Sequence, residues 1–251
     1  MRRYGQGLSD LGKKRVTNED SFLCDDELGL YVVADGMGGH NAGEVASQEA
    51  VETLSDMVRR ECGTLQGLEA TDVPTEIVRR ALRLLESAVQ AATYMVFGIA
   101  QIDPEQQGMG TTVSALLLKG NYGITAQVGD SRIYMSRDRK AYQLTEDHTL
   151  IAWQLKQGVI TEQEAARSPH KNVITRAVGS RDYVQVDTRA FLVQAGDGFL
   201  LCSDGLHGYL SDAEIPTVMQ LGPQRAARQF VEIANQRGGK DNITAIVVEL
   251  E

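Results

Sequence analysis

Residues 30–47 read LYVVADGMGGHNAGEVAS. An apolar run of strand character ends on an acid, Asp35, followed by Gly36. An Asp-Gly pair commonly marks a hairpin turn, but no return strand follows here. A glycine-rich loop leads instead into a helical pattern that puts Ala46, Ala50, Leu54, Met57 and Val58 on one face. The small residues from Gly36 to Gly39 would let the backbone come close to a ligand, and a carbonyl there could join a coordination shell.

The same design recurs along the chain. Asp130 closes ITAQVGD (124–130), Asp204 lies near the end of FLLCSDG (199–205), and Asp241 precedes NITAIVV (242–248). Read singly, GDSR and Asp241–Asn242 are also plausible turn residues. Read together, buried strands that each end in a carboxylate can converge their acids on one point at a sheet edge. Carboxylates crowded in that way repel unless they share protons or hold a cation. An all-oxygen donor set of this kind suits a hard divalent metal. The run RVTNEDS (15–21) adds Arg15, whose planar fork matches phosphate oxygens, with Glu19 and Asp20 beside it; a solvated turn is the plainer reading of such a charged run.

Before this motif the chain reads as strands: YGQGLSDLG (4–12), SFLCDD (21–26) and LGLYVVAD (28–35). Beyond the first helix, a loop is expected over 63–72. Pro74 then opens a second helix, with an apolar stripe from Ile77 to Ala92 and an end near Gly98. TTVSALLLKG, NYGITAQVGD, SRIYMSR and AYQLT follow as strands, with a hairpin turn at Lys119–Gly120–Asn121. Residues 146–179 are mixed, with the short helical patterns LIAWQLKQG and TEQEAARS. YVQVDTRAFLV (183–193) and GDGFLLCSD (196–204) resume the strands. A helix from about Pro223 to Gln236, stopped by Gly238–Gly239, precedes the final strand ITAIVVEL. Strands in consecutive runs, with the helices gathered in blocks, predict an α+β fold of two antiparallel sheets flanked by helices. One domain over 1–251 is expected.

The 251 residues are 42% hydrophobic and 24% charged, ordinary for a globular protein. The formal charge of -9 argues against a nucleic-acid partner held by phosphate neutralisation. Cys24, Cys62 and Cys202 are scattered, which fits neither a disulfide framework nor a structural zinc site. The N-terminus lacks the apolar stretch of a secretory signal. No segment reaches the roughly 20 apolar residues of a membrane span. A reducing cytoplasm and a monomeric state are the expectations.

RVTNED, VVADGMGGHNAGEVAS, GMGTT, VGDSRIY, NVITRAVG, LCSDGL and GGKDNIT, in this order, resemble the protein phosphatase 2C (PPM) family, bacterial branch. The resemblance spans essentially the whole chain. It implies a four-layer α-β-β-α sandwich and metal-dependent hydrolysis of phosphoserine and phosphothreonine in proteins, with a metal-bridging water as nucleophile. It implies two magnesium or manganese ions, with a third more weakly held. By motif, Asp35 would bridge the two ions, the Gly36 carbonyl would complete the second, and Asp204 and Asp241 would hold the first. Glu19 and Asp20 would orient metal-bound waters, Asp130 would serve the third ion, and Arg15 would bind the substrate phosphate. Residues 146–179 would form the flap beside the cleft. Phosphoproteins, and a cognate serine/threonine kinase whose work is reversed, are the implied partners.

Three positions depart from the family pattern. Met37 stands where animal relatives carry a histidine proposed as general acid; His40 follows three residues later, either as a residue at the start of the helix or as a substrate contact and proton donor. Gly208 stands where many relatives carry Asp or Asn, a third-metal ligand. Ser168 stands where a histidine often precedes the flap proline. Two rival functions share the fold: a catalytically dead phosphoprotein-binding module, against which the intact set Arg15, Asp35, Asp204 and Asp241 argues, and a hydrolase of small phosphate esters. A calcium-binding structural protein would need a DxDxDG loop, which is absent.

Overall fold

Alternation along the strands decides which layer each side chain enters. In the computed structural model, which describes residues 1–38, 42–70, 73–170 and 173–251, that alternation builds a four-layer sandwich. The chain opens with β1 (Arg3–Asp10), β2 (Asp20–Asp25) and β3 (Leu30–Met37), then helices α1 (Ala42–Glu61) and α2 (Thr75–Ile102). Strands β4 (Gly110–Thr111), β5 (Val113–Lys119), β6 (Tyr122–Val128), β7 (Arg132–Arg137) and β8 (Lys140–Gln143) follow. Short helices α3 (Leu150–Lys156) and α4 (Glu162–Arg167) lead to β9 (Asp187–Leu192) and β10 (Gly198–Cys202). Helices α5 (Asp204–His207), α6 (Glu214–Met219) and α7 (Pro223–Arg237) precede β11 (Ile243–Leu250).

One sheet has the order β1-β11-β10-β7-β8 and the other β2-β3-β5-β6-β9, with every pairing antiparallel. Tyr31, Val33, Leu116 and Leu118 of the second sheet meet Phe199, Leu201, Ile246 and Val248 of the first in a dry layer between the sheets. The alternate residues Leu30, Val32, Ala34, Ala115 and Leu117 face outward onto the apolar stripes of α1 and α2. Leu200, Cys202, Ala245 and Val247 likewise face Ile215, Phe230 and Val231 of α6 and α7. A strand buried on both faces reads as an unbroken apolar run, which is why β3, β5, β10 and β11 were visible in the sequence.

The expected hairpin at 119–121 is present: Lys119 pairs with Tyr122, and Gly120 takes a positive φ of 59°. Two boundaries differ by several residues. Helix α2 runs past Gly98 to Ile102, because Gly98 keeps ordinary helical backbone and the buried Val96 and Ala100 hold that turn; Asp103–Pro104 ends it. The expected strand at 183–193 shortens to β9, since β6 offers partners only from Tyr122 to Gln127. Gly39, His40 and Asn172 lie outside the described residues.

Candidate metal centre

β3 carries Asp35 to the edge of one sheet, while β10 and β11 end beside Asp204 and Asp241 at the edge of the other. The sandwich brings these edges together. Asp35 is near enough to Asp20, Asp204, Asp130 and Asp241 for all four to act on its charge. Asp20 lies directly opposite Asp35 in the β2–β3 ladder, an arrangement that is costly for two like charges.

The backbone around Asp35 is held by the GMGTT stretch. Asp35 N–H donates to Thr112 Oγ1 at 2.9 Å, and its carbonyl accepts from Thr112 N–H at 2.9 Å and Thr111 Oγ1 at 3.0 Å. Thr112 Oγ1 also bonds Ser131 Oγ at 2.7 Å, tying the Asp35 tip to the Asp130 turn. The glycines after Asp35 and Asp204 serve close packing rather than turns. A Cβ on Gly36 would lie 2.0 Å from the Gly43 carbonyl oxygen, and one on Gly205 would lie 2.0 Å from that of Asn242. Both separations are impossible, so each acid is followed by the one residue that fits.

Asp20 joins the two sheets. Its Oδ2 accepts from Ser203 Oγ at 2.8 Å and Thr244 Oγ1 at 2.6 Å, the hydroxyls flanking the tips of β10 and β11. Among the described residues its Oδ1 is buried without a partner. Burial pushes Asp20 up to about 7 against those two hydrogen bonds. Burial, and then Asp204 and Asp147, push Asp130 up to about 7. Burial, and then its carboxylate neighbours, hold Asp35 well above the ordinary range, and Asp204 is raised by burial and Asp241. Glu19 is raised by burial, with Arg15 opposing. Only protonation or a cation relieves such crowding.

Arg15 lies at the rim with its fork closed on Asp241: Nε to Oδ1 and Nη2 to Oδ2 are both 2.8 Å. Its Nη1 is 3.7 Å from Glu19 Oε2. The loop carrying Arg15 is clamped by Asn242. That side chain accepts from Glu19 N–H at 2.9 Å and donates to the carbonyls of Leu11 at 3.1 Å and Thr17 at 3.0 Å. Among the described residues no three acidic, histidine or cysteine side chains close on a single point as a finished cage. Water and backbone oxygen would complete the shell of any cation these acids hold, as hard cations accept. The raised carboxyls and the orphaned Asp20 Oδ1 fit that kind of occupant.

The sequence profile described as Protein phosphatase 2C matches residues 12–247. The chain belongs to the protein phosphatase 2C family. It is 37% identical to the serine/threonine phosphatase stp of Listeria innocua, over 98% of this chain and 95% of that protein. It is 34% identical to the protein phosphatase PhpP of Streptococcus pneumoniae, over 97% and 96%. The crystal structure of the Mycobacterium tuberculosis serine/threonine phosphatase PstP/Ppp superposes with a TM-score of 0.85 at 34% identity, covering 99% of each chain. A structure of the PstP catalytic domain in complex with two manganese ions superposes with a TM-score of 0.83, also at 34% identity, covering 99% of this chain and 98% of that one.

In this phosphatase 2C chain, Arg15, Glu19, Asp20, Asp35, Asp130, Asp204 and Asp241 come close enough for their charges to act on one another, and Gly36 N–H donates to the Glu19 carbonyl beside them. His40 lies outside the described residues. Thr112, Ser131, Ser203, Thr244 and Asn242 were missed as supports, although Ser131, Ser203 and Asn242 each adjoin an acid, Thr244 stands three residues after Asp241, and Thr112 lies inside the GMGTT motif. Hydroxyls immediately beside the acidic tips were the available signal.

Proposed function

We propose that this chain is a metal-dependent protein serine/threonine phosphatase acting through the cleft ringed by Asp35, Asp204 and Asp241. The convergence of these three acids from two sheets, with the Arg15 fork at the rim, is the observation that supports it most. Asp35 would bridge two magnesium or manganese ions, with the Gly36 carbonyl on the second and Asp204 and Asp241 on the first. Such a pair of cations supplies the attacking water and neutralises the phosphoryl oxygens.

The protein's own groups then have distinct tasks. Arg15 grips two oxygens of the substrate phosphate, exchanging the Asp241 carboxylate for them. Asp20, pinned through Oδ2, keeps Oδ1 free to accept a hydrogen bond at the reacting centre. Glu19, held by Asn242 through its backbone, orients water beside it. Asp130 serves a third, weaker cation. His40 contacts substrate or supplies the proton. Attack in line with the seryl or threonyl oxygen forms one P–O bond and breaks another, giving inorganic phosphate and the free hydroxyl.

The unit proposed is a single domain over 1–251, with residues 146–179 as its flap. A groove of about 650 Å³ opens along the flap, with Trp153, Lys156, Arg176 and Asp187 on its walls; it would take the polypeptide around the phosphorylated residue. No helix among the described residues is long and apolar enough to cross a membrane. Three free cysteines favour a reducing cytoplasm. A monomer reversing a serine/threonine kinase completes the reading. Phosphate release from a phosphothreonine peptide, with manganese, magnesium or EDTA, tests it. Release insensitive to EDTA, or confined to sugar phosphates, would overturn it.

A further inference from the structure

Two histidines that the proposed chemistry does not use grip the turn presenting Asp130. β6 ends at Val128 and β7 begins at Arg132, so Gly129, Asp130 and Ser131 make the whole connection. Gly129 N–H donates to His148 Nδ1 at 3.1 Å, and His148 N–H donates back to the Gly129 carbonyl at 2.9 Å. His207 Nε2–H donates to the Asp130 carbonyl at 3.0 Å. The Gly129 N–H and the Asp130 carbonyl are thus each held by an imidazole from another part of the chain, and the Gly129 carbonyl between them by the His148 backbone N–H.

Each imidazole has its own anchor. Because His148 Nδ1 accepts, its ring proton sits on Nε2, which faces Asp187 Oδ2 at 3.0 Å; Arg176 Nη1 donates to Asp187 Oδ1 at 2.7 Å. The His148 carbonyl accepts from both Thr175 N–H at 2.8 Å and Thr175 Oγ1 at 3.0 Å. His148 therefore stands where the two ends of the 146–179 segment meet. His207 lies on α5, the helix that begins at Asp204. It is the residue before Gly208, where many relatives would carry a direct ligand.

We infer that His148 and His207 are positioning residues that hold the Gly129–Asp130 backbone so that the Asp130 carboxylate faces Asp204, and that they thereby set the affinity of a third cation site. The inference rests on the proposed role of Asp130 as a ligand. Partners that orient a ligand typically change metal affinity by about ten- to a hundredfold when removed. Gln at 207 keeps a side-chain N–H donor of similar reach; Leu removes it. Gln at 148 keeps an acceptor for Gly129 N–H; Leu does not.

The test is calorimetric titration of Mn2+ alone into the full chain, with melting curves recorded for each variant. His207→Leu and His148→Leu should weaken the weakest binding step at least about tenfold and leave the two tighter steps within about twofold, while His207→Gln and His148→Gln recover most of the loss. A weakest step unchanged in both Leu variants, all steps weakening together, or no recovery with Gln would overturn the inference. Asp130→Asn is the control on the underlying reading. If the weakest step survives in Asp130→Asn, Asp130 is not the ligand, and the fault lies there rather than with the histidines.

Discussion

Removing metal should destabilise this protein far more at pH 8 than at pH 6. The crowded acids set the effect. A carboxyl whose folded pKa is raised stabilises the fold below its unfolded value near 3.8, and that stability is lost as pH rises through the folded value. Asp20 and Asp130 are both pushed up to about 7. Each forfeits about 1.4 kcal/mol between pH 6 and 8, close to 3 kcal/mol for the pair. Asp35 and Asp204 add in the same direction. His148 and His207 work oppositely. Burial lowers both, His207 to about 4, so stability falls as pH drops below about 6.5, the unfolded value. These histidine contributions are common to loaded and chelated protein and cancel when the two are compared at one pH. A chain of this length shifts in Tm by about 2–4 °C per kcal/mol. The Tm gap between saturating Mg2+ and EDTA should therefore widen by roughly 6–12 °C from pH 6 to pH 8. Melts at fixed ionic strength measure it, and titrations of Mg2+ in two buffers of different ionisation heat should count about one proton released at pH 7 from this pair. A gap that stays constant, or binding without proton release, would refute the reasoning that repulsion among these carboxyls is what a cation relieves.

Asp35→Asn should nearly abolish phosphate release with either metal yet raise the Tm of the chelated protein, because one crowded carboxylate is gone; activity with manganese near that of the wild type would end the bridging role. Arg15→Ala should raise KM for a phosphopeptide more than it lowers kcat. It should also tighten the first Mn2+ by about two- to fivefold, since the half-exposed fork no longer competes for Asp241; calorimetry reads the second effect. Asn242→Ala strands Glu19 N–H and the carbonyls of Leu11 and Thr17. A loss of about 3 kcal/mol by urea unfolding is expected, with KM rising because the Arg15 loop is no longer clamped; an unchanged KM would separate that clamp from substrate binding.

The architecture was legible because both sheets are covered on both faces. Runs such as LYVVAD and FLLCSD are apolar throughout, and the acids at their tips stand out against that background. Even the short helices within residues 146–179 showed, since each carries a local signal: Thr149 caps α3, and Thr161 with Glu164 forms a capping box on α4. The end of α2 was misplaced because Gly98 carries only a weak penalty of about 1 kcal/mol, which the buried Val96 and Ala100 outweigh. Residues 183–186 alternate like a strand but have no partner in the β6 ladder. Local pattern cannot reveal the extent of a neighbour.

The site was legible in its acids and opaque in its joints, and Asp20 shows why. Its backbone belongs to β2, yet its Oδ2 is bonded to the hydroxyls of Ser203, just after β10, and Thr244, the second residue of β11, 183 and 224 residues away. A hydroxyl beside an acidic tip, as at Ser203, hints at a support but does not say which distant carboxylate it will bond, because serine and threonine are common at strand ends. Once the two sheets are stacked, the same carboxylate is forced to divide its oxygens: one locks the sheets in register, and the other is left buried and unpaired at the cleft. That division links fold to chemistry. Burial that would be a defect in a purely structural Asp20, costing about 1–3 kcal/mol for the orphaned oxygen, becomes useful if the oxygen is completed only when the cleft is filled. Asp20→Asn should therefore separate the two roles, retaining the lock through its carbonyl oxygen and the melting temperature with it, while metal and substrate affinity fall; a variant that simply unfolds would show that the lock, and not the cleft, needs the charge.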